Sequence, residues 1–222
     1  MFIRAKGCTI PGMIWTVLTV LIVFGLLVLA EYAARTKHIH AELTRKFVHM
    51  SVGTFVAFWP LFLSWRQIEL LSGAFLVVIL LSIKFHIFRS VHDVDRNVSG
   101  EILFAAAIGL LAFISSTKWI FMAAMLNLSL ADGLAAIIGI LYGDKNQYKV
   151  FGRTKSRAGT AAFLVTSLVI TVFYFACSHA ALNPIILVGL PLAATLAENV
   201  AVLGTDNIVM PLLVATILSG SV

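Results

Sequence analysis

A bundle of helices crossing a membrane is the fold class this sequence predicts, and three observations predict it. Of 222 residues, 60% are hydrophobic and 12% charged, with mean hydropathy +1.01; soluble domains carry about 25% charged residues. A water-soluble chain of this composition would expose apolar patches large enough to aggregate. The apolar residues gather into runs of membrane length separated by short polar stretches, and no segment is polar enough for a second, soluble domain. The expectation is all-α: a polytopic bundle of about 7–8 spans, forming one integral membrane domain over 1–222.

The candidate spans are 13–31, 47–64, 68–87, 101–116, 119–141, 160–178, 183–203 and 207–220. Several fall short of the roughly 20 residues of a straight span, and the last is the weakest. The first run follows Arg4 and Lys6. It is too long for a signal-peptide core and no clear small-residue cleavage site follows it, so it reads as a retained first span, with 1–41 forming that span and a linker. The seventh is expected to break near Pro191 and Glu198, because proline removes a helix hydrogen bond. Cys8 and Cys177 lie far apart and offer neither metal spacing nor a disulfide framework.

Charge sets the expected orientation. Loops after spans one, three and five hold Arg35, Lys37, Arg45 and Lys46; Lys84, Arg89 and Arg96; and Lys145, Lys149, Arg153, Lys155 and Arg157. The other side has Arg4, Lys6, Arg66 and Lys118. By the positive-inside rule the N-terminus is outside and the cation-rich loops are cytoplasmic. The net charge of +6 then reflects those loops rather than a nucleic-acid surface. His49, Glu101, Asp132, Glu198 and Asp206 all fall near the cytoplasmic ends of their spans. Polar residues gathered at one end suit a site that takes a cytosolic substrate.

The richest stretch is Ala131 to Thr160. It begins with Asp132 inside an apolar run, where a charge costs roughly 2.5–3.5 kcal/mol on insertion scales and is normally functional. Asp132 needs a cation, a metal or a proton, and Ser129, one turn earlier, is placed to hydrogen-bond to it. Asp132, Ala135, Ala136, Gly139 and Gly143 share one helix face, and the two glycines also suit close helix contact. The stretch ends in a loop carrying five cations. Gly152, Arg153, Thr154, Lys155, Ser156, Gly159 and Thr160 interleave hydroxyls and glycines with charge, as a triphosphate clamp requires, although neither GxxxxGK[ST] nor GxGxxG is present. The lesser alternative is a positive-inside loop lying against lipid headgroups. Ser156 or Gly159 is placed to start the next helix, whose N-terminus favours anions.

In Glu42 to Gly53, Arg45 and His49 share a helix face beside Lys46. They read as a second phosphate clamp with His49 as hydrogen-bond partner or proton carrier, or as snorkelling cations with a bystander histidine. Asp93 and Asp95 are ordinary loop residues. Glu101 begins span four and suits either a helix N-terminus or a metal. Asp132, Glu101, Glu198 and Asp206, with Asn207 orienting one of them, form the candidate Mg²⁺ set, since that ion takes one or two carboxylates plus phosphate oxygens.

These pieces, in this order, resemble the polyprenol kinase family, which includes dolichol, phytol and farnesol kinases and CTP-dependent diacylglycerol kinase. The matching residues are Arg45, Lys46, His49 and Gly53; Gly100 and Glu101; Asp132, Ala136, Gly139 and Gly143; Gly152 to Thr160; and Glu198, Gly204, Asp206, Asn207 and Pro211. They make 42–212 a kinase-like core. The family's loop looks like GKTKSxxGS, from which Arg153 and Thr160 depart conservatively. The resemblance implies phosphoryl transfer from CTP, or another nucleotide, to the hydroxyl of a membrane-dissolved alcohol, with Mg²⁺ and with membrane lipids as surroundings. Asp132 would hold Mg²⁺ or take the hydroxyl proton; Arg153 and Lys155 lead the clamp, joined by Lys145, Lys149 and Arg157. The short length is most similar to the phytol-kinase-like branch, and the lack of an Arg- and Ser-rich transit segment favours a bacterial inner membrane. A weaker resemblance links the Asp132 region to phosphatidate cytidylyltransferase. A transporter or flippase would place polar residues near the midplane and on both sides.

Overall fold

The computed structural model describes residues 10–37, 41–85, 99–202 and 204–221. Its helices are α1 (Ile10–Lys37), α2 (Ala41–Ala57), α3 (Trp65–Lys84), α4 (Ser99–Ile114), α5 (Lys118–Leu126), α6 (Asp132–Tyr142), α7 (Arg157–Ser178), α8 (Pro184–Val200) and α9 (Asp206–Ser219). Between α5 and α6, Asn127–Ala131 form one π-helical turn, so Lys118 to Tyr142 is a single rod. Arg4, Lys6, Cys8, Arg89, Asp93, Asp95 and Arg96 lie outside the described residues.

Local chemistry starts these helices. Ser64 opens α3 with a capping box: its hydroxyl accepts from Gln67 N while the Gln67 side chain accepts from Ser64 N. Thr117 caps α5 by accepting from Ile120 N. Asn183 caps α8 and Pro184 occupies its first turn, where the missing N–H costs nothing.

The rod is the centre of the bundle. Every residue from Ile120 to Ser129 is buried, and α2, α7 and α9 pack around it. On the outside, α4 lies between α3 and α9, and α8 lies between α7 and α9. Helices Gly12–Ala33, Trp65–Lys84, Lys118–Tyr142 and Arg157–Ser178 are long and apolar enough to cross a membrane. Gly100–Ile114, Pro184–Val200 and Asp206–Ser219 are apolar but shorter than a straight span. The outward faces are apolar, with Leu21, Leu70, Phe113 and Ile185 all exposed.

Three expectations change. The second helix runs Ala41–Ala57 rather than 47–64, because the chain turns through a short 3₁₀ segment, Trp59–Leu61, at Pro60. The seventh does not break: α8 continues through Pro191 to Val200, as membrane-type helices tolerate when neighbours re-satisfy the freed backbone groups. The cationic loop is partly a β-hairpin, so the fold is helical with one small sheet. Strand β1 (Gln147–Val150) pairs antiparallel with β2 (Arg153–Ser156). Phe151 and Gly152 join them with φ of 45° and 77°, the two positive values of a type I′ hairpin turn. Gly152 takes that conformation freely; Phe151 takes it against its own β-carbon.

Candidate active site

The π turn fixes the position of Asp132. Within it Asn127 Nδ2 donates to the Ala123 carbonyl and Ser129 Oγ to the Met125 carbonyl, at 2.9 and 2.8 Å. The Ser129 hydroxyl therefore donates to the Met125 carbonyl rather than to the Asp132 carboxylate, while the Asp132 backbone N–H still reaches the Ser129 carbonyl; π turns recur at functional sites. Small residues then let α2 press against the rod. A β-carbon on Gly53 would come 2.5 Å from Ser129 Cβ, and one on Gly133 would collide with Met50.

That close approach delivers the α2 cations. Lys46 Nζ donates to Asp132 Oδ2 at 2.8 Å, with both side chains largely buried. His49 Nε2 lies 2.9 Å from the Leu128 carbonyl and 3.6 Å from Asp132 Oδ2. A carbonyl only accepts, so this contact assigns the proton to Nε2 and leaves the lone pair of a neutral ring on Nδ1. The His49 ring rests on Phe104, centroids 4.8 Å apart. Lys46, rather than Ser129, is thus the partner the buried carboxylate needs.

A second pair forms alongside. Small residues also join α6 to α7: a β-carbon on Gly159 would lie 2.7 Å from the Ala135 carbonyl and 3.4 Å from Gly139 Cα. Gly139 and Gly143 therefore make an intramolecular helix contact. Ser156 caps α7 by accepting from Gly159 N at 3.0 Å, so these two expected phosphate donors bond each other. The hairpin register sorts the cations. Tyr148 faces Lys155 and Val150 faces Arg153 on one side of the ribbon, while the Lys149 and Thr154 pair points the other way and is exposed. Lys145, Gly152 and Arg157 are exposed too.

Lys155 Nζ pairs with the Glu198 carboxylate and lies 3.3 Å from the Glu198 carbonyl. Its charge also acts on Asp132, while Glu198 feels the charges of Asp132 and Asp206. Lys155 thus joins the hairpin to α8 at Glu198, with Asp132 and Asp206 near enough for their charges to be felt there. Two residues given no role by the sequence hold the hairpin there. Tyr148 donates to Asn199 Oδ1 at 2.6 Å, and Thr160 shares that network. Their signal was slight: one tyrosine in a cationic stretch, and an asparagine beside Glu198.

Beside this row lies a cavity between α1, α2, α3 and α4, enclosing about 970 Å³ of space with its open mouth included. Its polar end is formed by Arg45, His49, Ser82, Glu101 and Asn207. The rest is apolar, including Leu27, Val52, Ile79 and Phe104. Asn207 is buried and its amide donates to the Gly100 carbonyl at 3.0 Å, tying α9 to the start of α4. That tie uses one of the two hydrogens on the amide nitrogen.

Among the described residues no three His, Cys, Asp or Glu side chains stand close enough to hold a metal by themselves. Asp206 Oδ1 is buried and has no hydrogen-bond partner among them. A buried carboxylate oxygen in that state suits a cation brought in with phosphate oxygens, the usual manner of Mg²⁺.

No family model matches the chain, and no solved structure matches it. A Synechocystis sp. protein named phytol kinase is 31% identical over 191 residues, covering 82% of this chain and 81% of that protein. That identity over most of both lengths carries the family: the chain belongs to the phytol-kinase-like branch of the polyprenol kinases.

Proposed function

We propose that this protein is a membrane-embedded lipid-alcohol kinase that moves the γ-phosphoryl group of a nucleoside triphosphate, CTP by family expectation, onto the hydroxyl of a prenol such as phytol or farnesol. The observation that carries this reading is the position of His49. It lines the polar end of an apolar cavity and stands 3.6 Å from Asp132, in the row of charges that continues to Lys155 and Glu198. In this reading the hydrocarbon chain lies in the cavity on one side of His49 and the triphosphate along the charged row on the other.

In the reaction the alcohol oxygen bonds to the γ-phosphorus as the bond from that phosphorus to the β,γ-bridging oxygen breaks. The nucleoside diphosphate leaves with the electron pair, and the hydroxyl proton passes to His49 Nδ1. Positioning and charge neutralisation supply most of the catalysis in such transfers. Lys155, Arg153 and Lys46 supply positive charge; the lysines exchange carboxylate partners for phosphate oxygens when nucleotide binds. Asp206 and Glu198, with Asp132 behind them, would hold Mg²⁺, which offsets the negative charge of the phosphates when bound. The site faces the cytoplasm of a bacterial inner membrane, where the nucleotide arrives from water and the alcohol from the bilayer.

The test uses purified protein in detergent with Mg²⁺, a pool of prenols and diacylglycerol, and CTP labelled separately at the α- and γ-phosphates. γ-Label in the lipid fraction is the expected result. α-Label there, with pyrophosphate released, overturns it and makes the protein a CDP-lipid synthase.

A further inference from the structure

We propose that the cavity between α1 and α4 measures the hydrocarbon chain of the acceptor, and that Phe75, backed by Trp59, is the floor that ends it. The inference rests on the acceptor site proposed above. The lining residues step down each helix at one-turn intervals: Arg45, His49, Val52 and Val56 on α2, and Glu101, Phe104 and Ile108 on α4. At roughly 1.5 Å per residue, Arg45 to Val56 spans about 16 Å and Glu101 to Ile108 about 10 Å. Polar groups occupy only the upper end. Hydrocarbon lines the remainder, so a bound alcohol has one orientation: hydroxyl at His49, tail toward Val56, Phe75 and Ile108.

What lies beyond those residues is rigid. One turn past Val56, α2 has ended and Trp59 is fully buried. Its ring stacks on Phe75, centroids 6.1 Å apart, and meets the edge of Phe55 at 6.3 Å. Phe55 in turn packs on Phe62, and Phe62 on Trp15 of α1. Phe75 lines the cavity while Trp59 does not, so Trp59 stands behind Phe75 as its support. Packed interiors do not deform continuously, and five aromatic rings in contact leave the floor little room to yield. A staggered carbon chain advances roughly 1.3 Å per bond, so a chain held by its hydroxyl meets Phe75 after roughly eight to twelve carbons. A longer alcohol must bend its end out through the mouth.

The experiment compares geraniol, farnesol and geranylgeraniol with wild type, Phe75→Ala, the milder Phe75→Leu, and Ile108→Phe, which raises the floor. Turnover and retention of each radiolabelled alcohol on the detergent-solubilised protein are measured side by side. One methylene in an apolar pocket discriminates roughly 10–200-fold, so Phe75→Ala should raise the kcat/KM ratio of geranylgeraniol to farnesol about tenfold. Ile108→Phe should move the preference toward geraniol by a similar factor, and Phe75→Leu should fall between wild type and Phe75→Ala. Turnover with ratios unmoved in all folded variants overturns the floor and leaves the kinase reading standing. No turnover with any alcohol, but a retention order that shifts with these substitutions, keeps the floor and overturns the kinase reading. Equal retention of all three alcohols by every variant overturns the floor whatever the turnover.

Discussion

Lys46 on α2 donates to Asp132 on the central rod at 2.8 Å, across 86 positions of sequence. The bond joins two motifs of the candidate site, and it forms where α2 and the rod approach through Gly53 and Gly133. Breaking one partner of a buried pair leaves a bare charge and costs about 3–5 kcal/mol. Lys46→Met should therefore lower the unfolding temperature in detergent markedly. Asp132→Asn should unfold nearer the wild-type temperature, since its amide oxygen still accepts from Lys46, while turnover is lost. Wild-type turnover in Asp132→Asn would remove Asp132 from the site.

The hairpin register makes a sharper claim about the cations. Lys155 and Arg153 share the face of Tyr148, whereas Lys149 and Thr154 face outward. Lys155→Ala should raise the nucleotide KM by about tenfold, the worth of one charge-assisted phosphate contact. Lys149→Ala and Thr154→Ala should change it less than about twofold, as exposed charges are screened. Steady-state kinetics with varied nucleotide decides, and equal effects at Lys149 and Lys155 would mean that the whole loop, not one face, meets the phosphates.

Gly159 and Gly152 both belong to the triphosphate clamp expected from the sequence, and the structure separates them. A β-carbon on Gly159 would strike the Ala135 carbonyl at 2.7 Å, while one on Gly152 would meet nothing within 4 Å and suffers only from φ of 77°. Gly159→Ala should cost about 1–3 kcal/mol by overpacking the α6–α7 contact. Gly152→Ala should cost roughly 1 kcal/mol from its left-handed backbone. Thermal unfolding of both variants beside wild type checks the order; a larger loss at Gly152 would contradict the packing.

Helix positions were legible in the sequence because apolar length and flanking charge mark them directly. Asp132 was legible because a lone carboxylate in an apolar run demands a partner; the identity of that partner was not, since Lys46 lies 86 positions away. The fate of Pro191 was misread because neighbouring helices decide whether a proline breaks its own. The hairpin was hidden by shortness: two four-residue strands give too few alternations to stand out from a charged loop. The cavity was invisible for a similar reason. Its lining comes from four helices and Asn207, and each residue alone reads as ordinary core.

The Tyr148 network is where that lost information bears on catalysis. Tyr148 donates to Asn199 Oδ1, which also receives Thr160, and Asn199 is itself held by donating to the Thr195 carbonyl at 3.0 Å. Because Tyr148 sits directly across from Lys155 in the hairpin, this tie fixes the ribbon against α8 next to Glu198. Tyr148→Phe removes one half-buried donor and leaves the ring in place, a loss of about 1 kcal/mol or less. Its larger consequence should be on position: the ribbon pivots and Lys155 loses register with the phosphates. We expect kcat/KM for nucleotide to fall about fivefold or more, with unfolding temperature nearly unchanged. Asn199→Ala should reproduce the effect, and the double variant should add little to either single change, since both cut the same tie. Fully additive losses would show that Tyr148 and Asn199 act separately, and that the hairpin is held by its helix connections alone.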